Sequence, residues 1–193
     1  MSDNTPDGAT PLDPDEADHL IPQHIRTREE LNAWEQTNIL VAAEWVERAR
    51  RPALDEATIR DLHRRMFDRT WNWAGQYRRT DKNIGIYWAE IPVAVRDIVE
   101  DGRYWLDHGT YPVQEAALRL HHRLTRIHPF PNGNGRHARL WCDLLLRQRG
   151  MRPFTWRAEE LDHVSDARHR YIDALRQADQ QNFEALCALF LRD

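Results

Sequence analysis

The sequence predicts a mainly α fold, and three observations carry that prediction. Apolar residues recur at spacings of three and four from Leu31 to Leu191, the period of helices that bury one face. Only Tyr77 to Pro92 breaks this period. Pro129, Pro131 and the run Asn132 to Gly135 separate two amphipathic stretches, so the chain turns sharply there and then resumes as helix.

Residues 1–25 are rich in Asp, Pro and polar residues, with Leu20 and Ile21 their only anchors, and read as a flexible acidic arm. Residues 26–193 then form one domain, the default at 193 residues. Thr27 and Glu30 make a capping box that opens a helix marked by Leu31, Trp34, Ile39, Ala42 and Trp45 and ending near residue 50. Pro52 breaks the chain, and a second helix runs from about Asp55 through Ile59, Leu62, Met66 and Phe67. In Tyr77 to Pro92, Thr80, Ile84, Ile86, Tyr87, Trp88 and Ile91 favour strand, while Asp81-Lys82-Asn83 and Gly85 supply turn chemistry. A short β-hairpin follows. Helical spacing returns with Val95, Ile98, Val99, Tyr104 and Leu106 and stops at Gly109. A further helix from Val113 to Ile127 leads into the loop at His128, and Arg136 to Arg149 reads as the central helix of the domain. Leu161, Val164, Tyr171 and Leu175 mark the next helix and Phe183 to Leu191 the last.

Composition narrows the chemistry. Net charge is −4, yet six acids and no Lys or Arg fall within residues 1–18, which leaves the remainder at +2. That near-neutral body carries no basic run or face for nucleic acid. Cys142 and Cys187 lie in apolar helical patterns and are too few for a disulfide framework or a cysteine-based zinc site. The acidic start lacks the features of a signal peptide and no apolar run approaches the ~20 residues that span a bilayer, so a cytoplasmic protein is expected, with no membrane partner.

Residues 128–139 read His-Pro-Phe-Pro-Asn-Gly-Asn-Gly-Arg-His-Ala-Arg. The prolines put His128 on a loop, and the Asn-Gly pairs let a ligand approach the main chain. A helix N-terminus exposes unpartnered N–H groups and a partial positive charge, so Arg136, His137 and Arg139 crowd a turn that disfavours cations. Arg136 and Arg139 share one helix face. Bare N–H groups, dipole and two guanidinium groups thus converge, and the component they call for is an anion such as a di- or triphosphate. His128 stands beside it as a base that works near neutral pH, which suggests transfer from a nucleotide to a hydroxyl. Gly133, Gly135 and Ala138 also satisfy a dinucleotide fingerprint, but the preceding prolines deny the strand it requires.

These twelve residues resemble the signature of the Fic/Doc family, His-Pro-Phe-x-acid-Gly-Asn-Gly-Arg-x-x-Arg, departing from it only at Asn132. Trp73-Ala74-Gly75-x-Tyr77-Arg78 also resembles the family, which implies the Fic fold: a helical bundle around a central motif helix with one short β-hairpin flap over the site. Thr10-Pro11-Leu12-Asp13 and Glu35-Gln36-x-Asn38-Ile39 resemble the subgroup called mobile mystery protein B, similar to toxin–antitoxin components of mobile elements.

The resemblance implies a protein adenylyltransferase that moves AMP from ATP to a Ser, Thr or Tyr hydroxyl of a target protein. His128 would be the general base. Gly133, Asn134 and Gly135 would donate to the α- and β-phosphates, and Arg136 and Arg139 would hold the β- and γ-phosphates. Position 132 would hold Mg2+ in most relatives, and Asn132 offers only a neutral oxygen there. Lys82, Asn83, Ile84 and Gly85 would form the flap tip that holds the target segment by strand addition. The family's inhibitory Ser/Thr-x-x-x-Glu-Gly/Asn segment is not evident: only Thr155 has a Glu four residues on, and Glu160 follows Glu159. Restraint would then come from a separate antitoxin. The competing readings are phosphoryl or phosphocholine transfer, a silent interaction domain, and a metal-dependent hydrolase built on His121, His122, His128 and His137. Gly135 stands where the kinases of the family have Lys.

Overall fold

The computed structural model describes residues 18–157, 161–162 and 165–191. Most of the expected arm (residues 1–17, with Thr10-Pro11-Leu12-Asp13), Glu159, Glu160 and Val164 lie outside the described residues. Helix α1 (Arg28–Arg48) starts at the Thr27 capping box, Glu30 N donating to Thr27 Oγ1 (3.1 Å) and Thr27 N to Glu30 Oε2 (3.0 Å). Helix α2 (Glu56–Phe67) is capped by Asp55, which accepts from Thr58 N at 3.1 Å. Helix α3 (Ile91–Asp107) carries Pro92 in its first turn, where a missing N–H costs nothing. Then come α4 (Val113–Ile127), α5 (Asn134–Gln148), α6 (Asp166–Asp179) and α7 (Glu184–Phe190).

Helices α4 and α5, joined by the His128 loop, pack against each other at the centre. Leu118, Leu120 and Leu124 of α4 and Ala138, Trp141, Cys142 and Leu146 of α5 are almost wholly buried. Helices α1 and α2 cover α5, and α3 covers α4. Two polar groups inside this core find backbone acceptors: Trp141 Nε1 donates to Ala53 O at 2.8 Å and His137 Nε2 to Ile59 O at 2.8 Å. Among the described residues no helix is long and apolar enough to cross a membrane.

From Asp18 on, the section expected as an arm is tied to the turn after α2. Ile21 N donates to Thr70 O (2.8 Å), Asn72 N to His19 O (3.2 Å), and Leu20 bridges Trp71.

The expected hairpin does not form. Among the described residues the only β pairing is the isolated Leu20–Trp71 bridge, and 79–87 is irregular. Arg78 supplies the physical reason. Its guanidinium donates to Thr80 O (2.9 Å) and to Ile86 O, so one side chain joins the two limbs that a ladder would have joined. Trp88–Glu90 is a 3-10 turn whose first residue donates from Trp88 N to Asp81 Oδ1 (3.0 Å), and Ile91 is buried at the start of α3 instead of in a strand.

Candidate active site

His128 ends α4 in the left-handed region, φ 53° and ψ 59°, which costs a non-glycine residue roughly 1–2 kcal/mol. Its surroundings hold it there. Arg78 Nε donates to His128 O at 2.7 Å, and Arg78 N donates to Pro129 O at 2.9 Å. The residue is 7% exposed, and burial, then the Arg78 charge, depress the pKa of its ring to about 4. His128 is thus neutral at physiological pH, the form that accepts a proton.

The loop beyond it is built from the inside. Phe130 is fully buried and stacks on His63, ring centroids 3.7 Å apart. His63 joins two segments, its Nε2 bonded to Asn132 O (3.1 Å) and its Nδ1 to Gly75 N (3.0 Å). A carbonyl only accepts and an amide N–H only donates, so these partners place the ring proton on Nε2.

Asn134 corrects one expectation. Its amide is committed inward, Oδ1 accepting from Phe130 N (2.9 Å) and Nδ2 donating to Phe130 O (2.8 Å), so its side chain shapes the loop and only its backbone N–H is left for a phosphate. A buried loop peptide must find partners, and Asn134 is the nearest group with both a donor and an acceptor.

Gly133 precedes α5 with φ 77°, and a Cβ there would lie 2.5 Å from Phe67 Cζ, so the position admits only glycine. Gly135 faces open space, with nothing nearer to a Cβ than Arg139 Nη1 at 3.9 Å. No side chain caps α5, which leaves its N-terminal N–H groups to a ligand or solvent.

Both arginines are paired. Arg136 Nη1 lies 2.7 Å from Glu35 Oε2, with its guanidinium over the Phe67 ring, and Arg139 Nη2 lies 2.6 Å from Asp162 Oδ1. The Tyr171 hydroxyl, bonded to His121 Nε2 at 2.8 Å, also meets Arg139. Of the expected flap tip, Gly85 reaches the site: a Cβ on it would meet His128 Cβ and Arg78 Nη2, each at 2.7 Å. Lys82 lies near enough to weigh against a charge on His128.

Asn132 Oδ1 accepts from Gly133 N at 2.6 Å, and no cluster of three or more His, Cys, Asp or Glu suited to a metal occurs among the described residues. His121, His122 and His137 turn to Tyr171, Asp179 and Ile59 O respectively, so the four histidines do not converge as a hydrolase site would require.

Sequence reasoning missed Glu35, Asp162, Arg78 and His63 as members of the site. Arg78 and Glu35 had a signal, since both fall in segments that resemble the family. Asp162 and His63 had none, because their partners are distant in sequence.

The Fic/DOC family profile matches residues 53–146. Residues 53–146 belong to the Fic/DOC family. The segment spans α2 to α5 and holds His128, Arg78 and both arginines. The chain is 31% identical over 134 residues to the protein adenylyltransferase Fic of Culex quinquefasciatus, covering 65% of this chain and 25% of that one. It therefore spans about a quarter of that relative's length. The Fic domain of a cell filamentation protein from Bartonella quintana superposes with TM-score 0.71 at 19% identity, covering 86% of this chain and 84% of that one. The BepC protein of Bartonella tribocorum, solved with bound AMPPNP, superposes with TM-score 0.68 at 19% identity, covering 90% and 94%. The mainly helical architecture of this chain is thus the Fic fold.

Proposed function

We propose that this Fic domain is a protein adenylyltransferase. The observation that carries the reading is a neutral, buried His128 held beside an uncapped helix N-terminus that bears Arg136 and Arg139. A target Ser, Thr or Tyr oxygen attacks the α-phosphorus of ATP while His128 takes the hydroxyl proton. The bond from α-phosphorus to the bridging oxygen breaks, diphosphate leaves, and the target carries AMP as an ester. The N–H groups of Asn134 and Gly135 and the two arginines bear the charge that gathers on the departing diphosphate, while the Gly133 N–H, expected to join them, is engaged by Asn132 Oδ1. The relative from Culex quinquefasciatus bears the name of this activity, and the bound AMPPNP of BepC supports ATP as the donor.

The residues present do not by themselves make a Mg2+ site: Asn132 offers one neutral oxygen, already engaged by Gly133 N. Magnesium enters this reading only as a complex with the nucleotide, and no step here depends on it. The finer reading is a toxin-like, cytoplasmic component of a mobile element, close to mobile mystery protein B and restrained by a separate antitoxin. A catalytically weak protein is the second reading, favoured by the carboxylates that occupy both arginines.

The test is incubation with ATP labelled at the α-phosphate, in cell lysate, beside His128→Ala. Label on protein with the native chain and its loss by at least about a hundredfold in the variant is expected. Equal labelling by both chains would remove His128 from the reaction, and label from the γ-phosphate would make the protein a kinase.

A further inference from the structure

We infer that Glu35 is a positioning residue for Arg136, a fixed post that aims the guanidinium at the β-phosphate. The inference rests on the reading of Arg136 given above and adds a residue of α1, outside the segment that matches the family.

Glu35 is 4% exposed, and its two carboxylate oxygens are divided between two donors. Oε1 accepts from Trp71 Nε1 at 2.6 Å and Oε2 from Arg136 Nη1 at 2.7 Å. The Trp71 indole is itself immobile: it is 2% exposed, stacks on Trp73 at 5.1 Å, and follows a backbone tied to Ile21 and His19. A second polar contact, Asn38 Nδ2 to Thr70 Oγ1 at 3.1 Å, binds the next turn of α1 to the same region. The carboxylate therefore has one available place, and the Phe67 ring under Arg136 fixes the other face of the guanidinium.

Arginine loses much rotamer freedom when it grips a phosphate. Here Glu35 and Phe67 have removed that freedom beforehand. One end of the guanidinium fork is used, and its remaining N–H groups stay available for an oxyanion. A purely structural role is the competing account, since a carboxylate also offsets the misfit of a cation at a helix N-terminus. The two accounts differ in what they predict for nucleotides with and without a β-phosphate.

Calorimetric binding of ADP and of AMP to the full chain separates them, with Glu35→Gln, Arg136→Ala and the double variant. Glu35→Gln is expected to weaken ADP about tenfold and to leave AMP within about twofold. In the Arg136→Ala background the same change is expected to have no further effect on ADP, because Glu35 acts only through Arg136. Trp71→Phe removes only the indole donor and is expected to weaken ADP by a smaller factor, again sparing AMP. It serves as the second variant should Glu35→Gln fold poorly.

Equal weakening of ADP and AMP would make Glu35 merely structural and overturn the inference. Tighter ADP binding by Glu35→Gln would overturn it in the other direction, making Glu35 an obstruction. Undiminished ADP binding by Arg136→Ala would remove the reading of Arg136 itself, a failure distinct from these two.

Discussion

At the two glycines that flank Asn134 one added methyl group has opposite consequences. Gly133→Ala places a Cβ 2.5 Å from Phe67 Cζ at φ 77°. The strained backbone and the displaced ring together cost about 2–4 kcal/mol, and urea denaturation should show a loss of that order. Gly135→Ala meets open space within a helix, so stability should hold or rise by up to ~1 kcal/mol, while the methyl group crowds the phosphate approach and weakens AMPPNP at least about tenfold. Weakened stability in Gly135→Ala would contradict the packing described here. Asp162 sets a third expectation. Its carboxylate holds Arg139 at 2.6 Å and is itself partly exposed, so a γ-phosphate must compete with it. Asp162→Asn should tighten AMPPNP severalfold and leave AMP unchanged, measured by calorimetry; weaker AMPPNP binding would assign Asp162 a supporting role.

At the scale of elements, the segment 79–90 depends on one side chain. Arg78 is 2% exposed and donates to the carbonyls of His128, Thr80 and Ile86, so it organises the segment over the site and the backbone of the base at once. Arg78→Gln should accelerate amide exchange across residues 80–86 and lower kcat/KM at least about tenfold. It also removes a positive charge from beside His128. With that charge gone, the His128 pKa rises from about 4 toward its ordinary 6.5, and the acid limb of the kcat/KM profile moves to higher pH; an unmoved limb would sink the electrostatic half of this account. The same segment marks where the sequence stopped being legible. Helix starts and stops were readable because their causes are local: the Thr27 box, Pro112 before α4, and the prolines that end α4 at Ile127. The strand pattern of Ile84, Ile86 and Tyr87 was real but lost to a tertiary contact, as Arg78 took the carbonyls a ladder would use. The motif likewise announced its arginines and not their partners, because Glu35 lies 101 residues from Arg136 and Asp162 23 residues from Arg139.

The whole molecule carries several histidines that folding keeps neutral, and their sum sets its response to acid. Burial depresses the pKa of His121 to about 3 and of His128 and His137 to about 4. Between about pH 4 and 6.5 the unfolded chain binds three protons at these positions that the folded chain refuses. Asp143 works the other way, because burial raises its carboxyl to about 7 and the folded chain binds the extra proton over the same window. Burial also holds His63 well below and His122 below the ordinary histidine value, so unfolding takes up at least about two protons net, and stability falls as pH falls, by at least about 3 kcal/mol per unit at the steepest point. Above about pH 8, past the folded-state value of Asp143, none of these groups changes state on unfolding, so the dependence should flatten. Urea denaturation at pH 7.5, 6.0 and 5.0 measures the slope directly. His137→Gln sharpens the test: its amide can still donate to Ile59 O, while one of the depressed histidines is gone. The slope of that variant should drop by one proton, about 1.4 kcal/mol per pH unit. A native chain whose stability stayed level from pH 7.5 to 5.0 would mean that these rings are protonated inside the fold, and His128 with them, which would leave the site without its base.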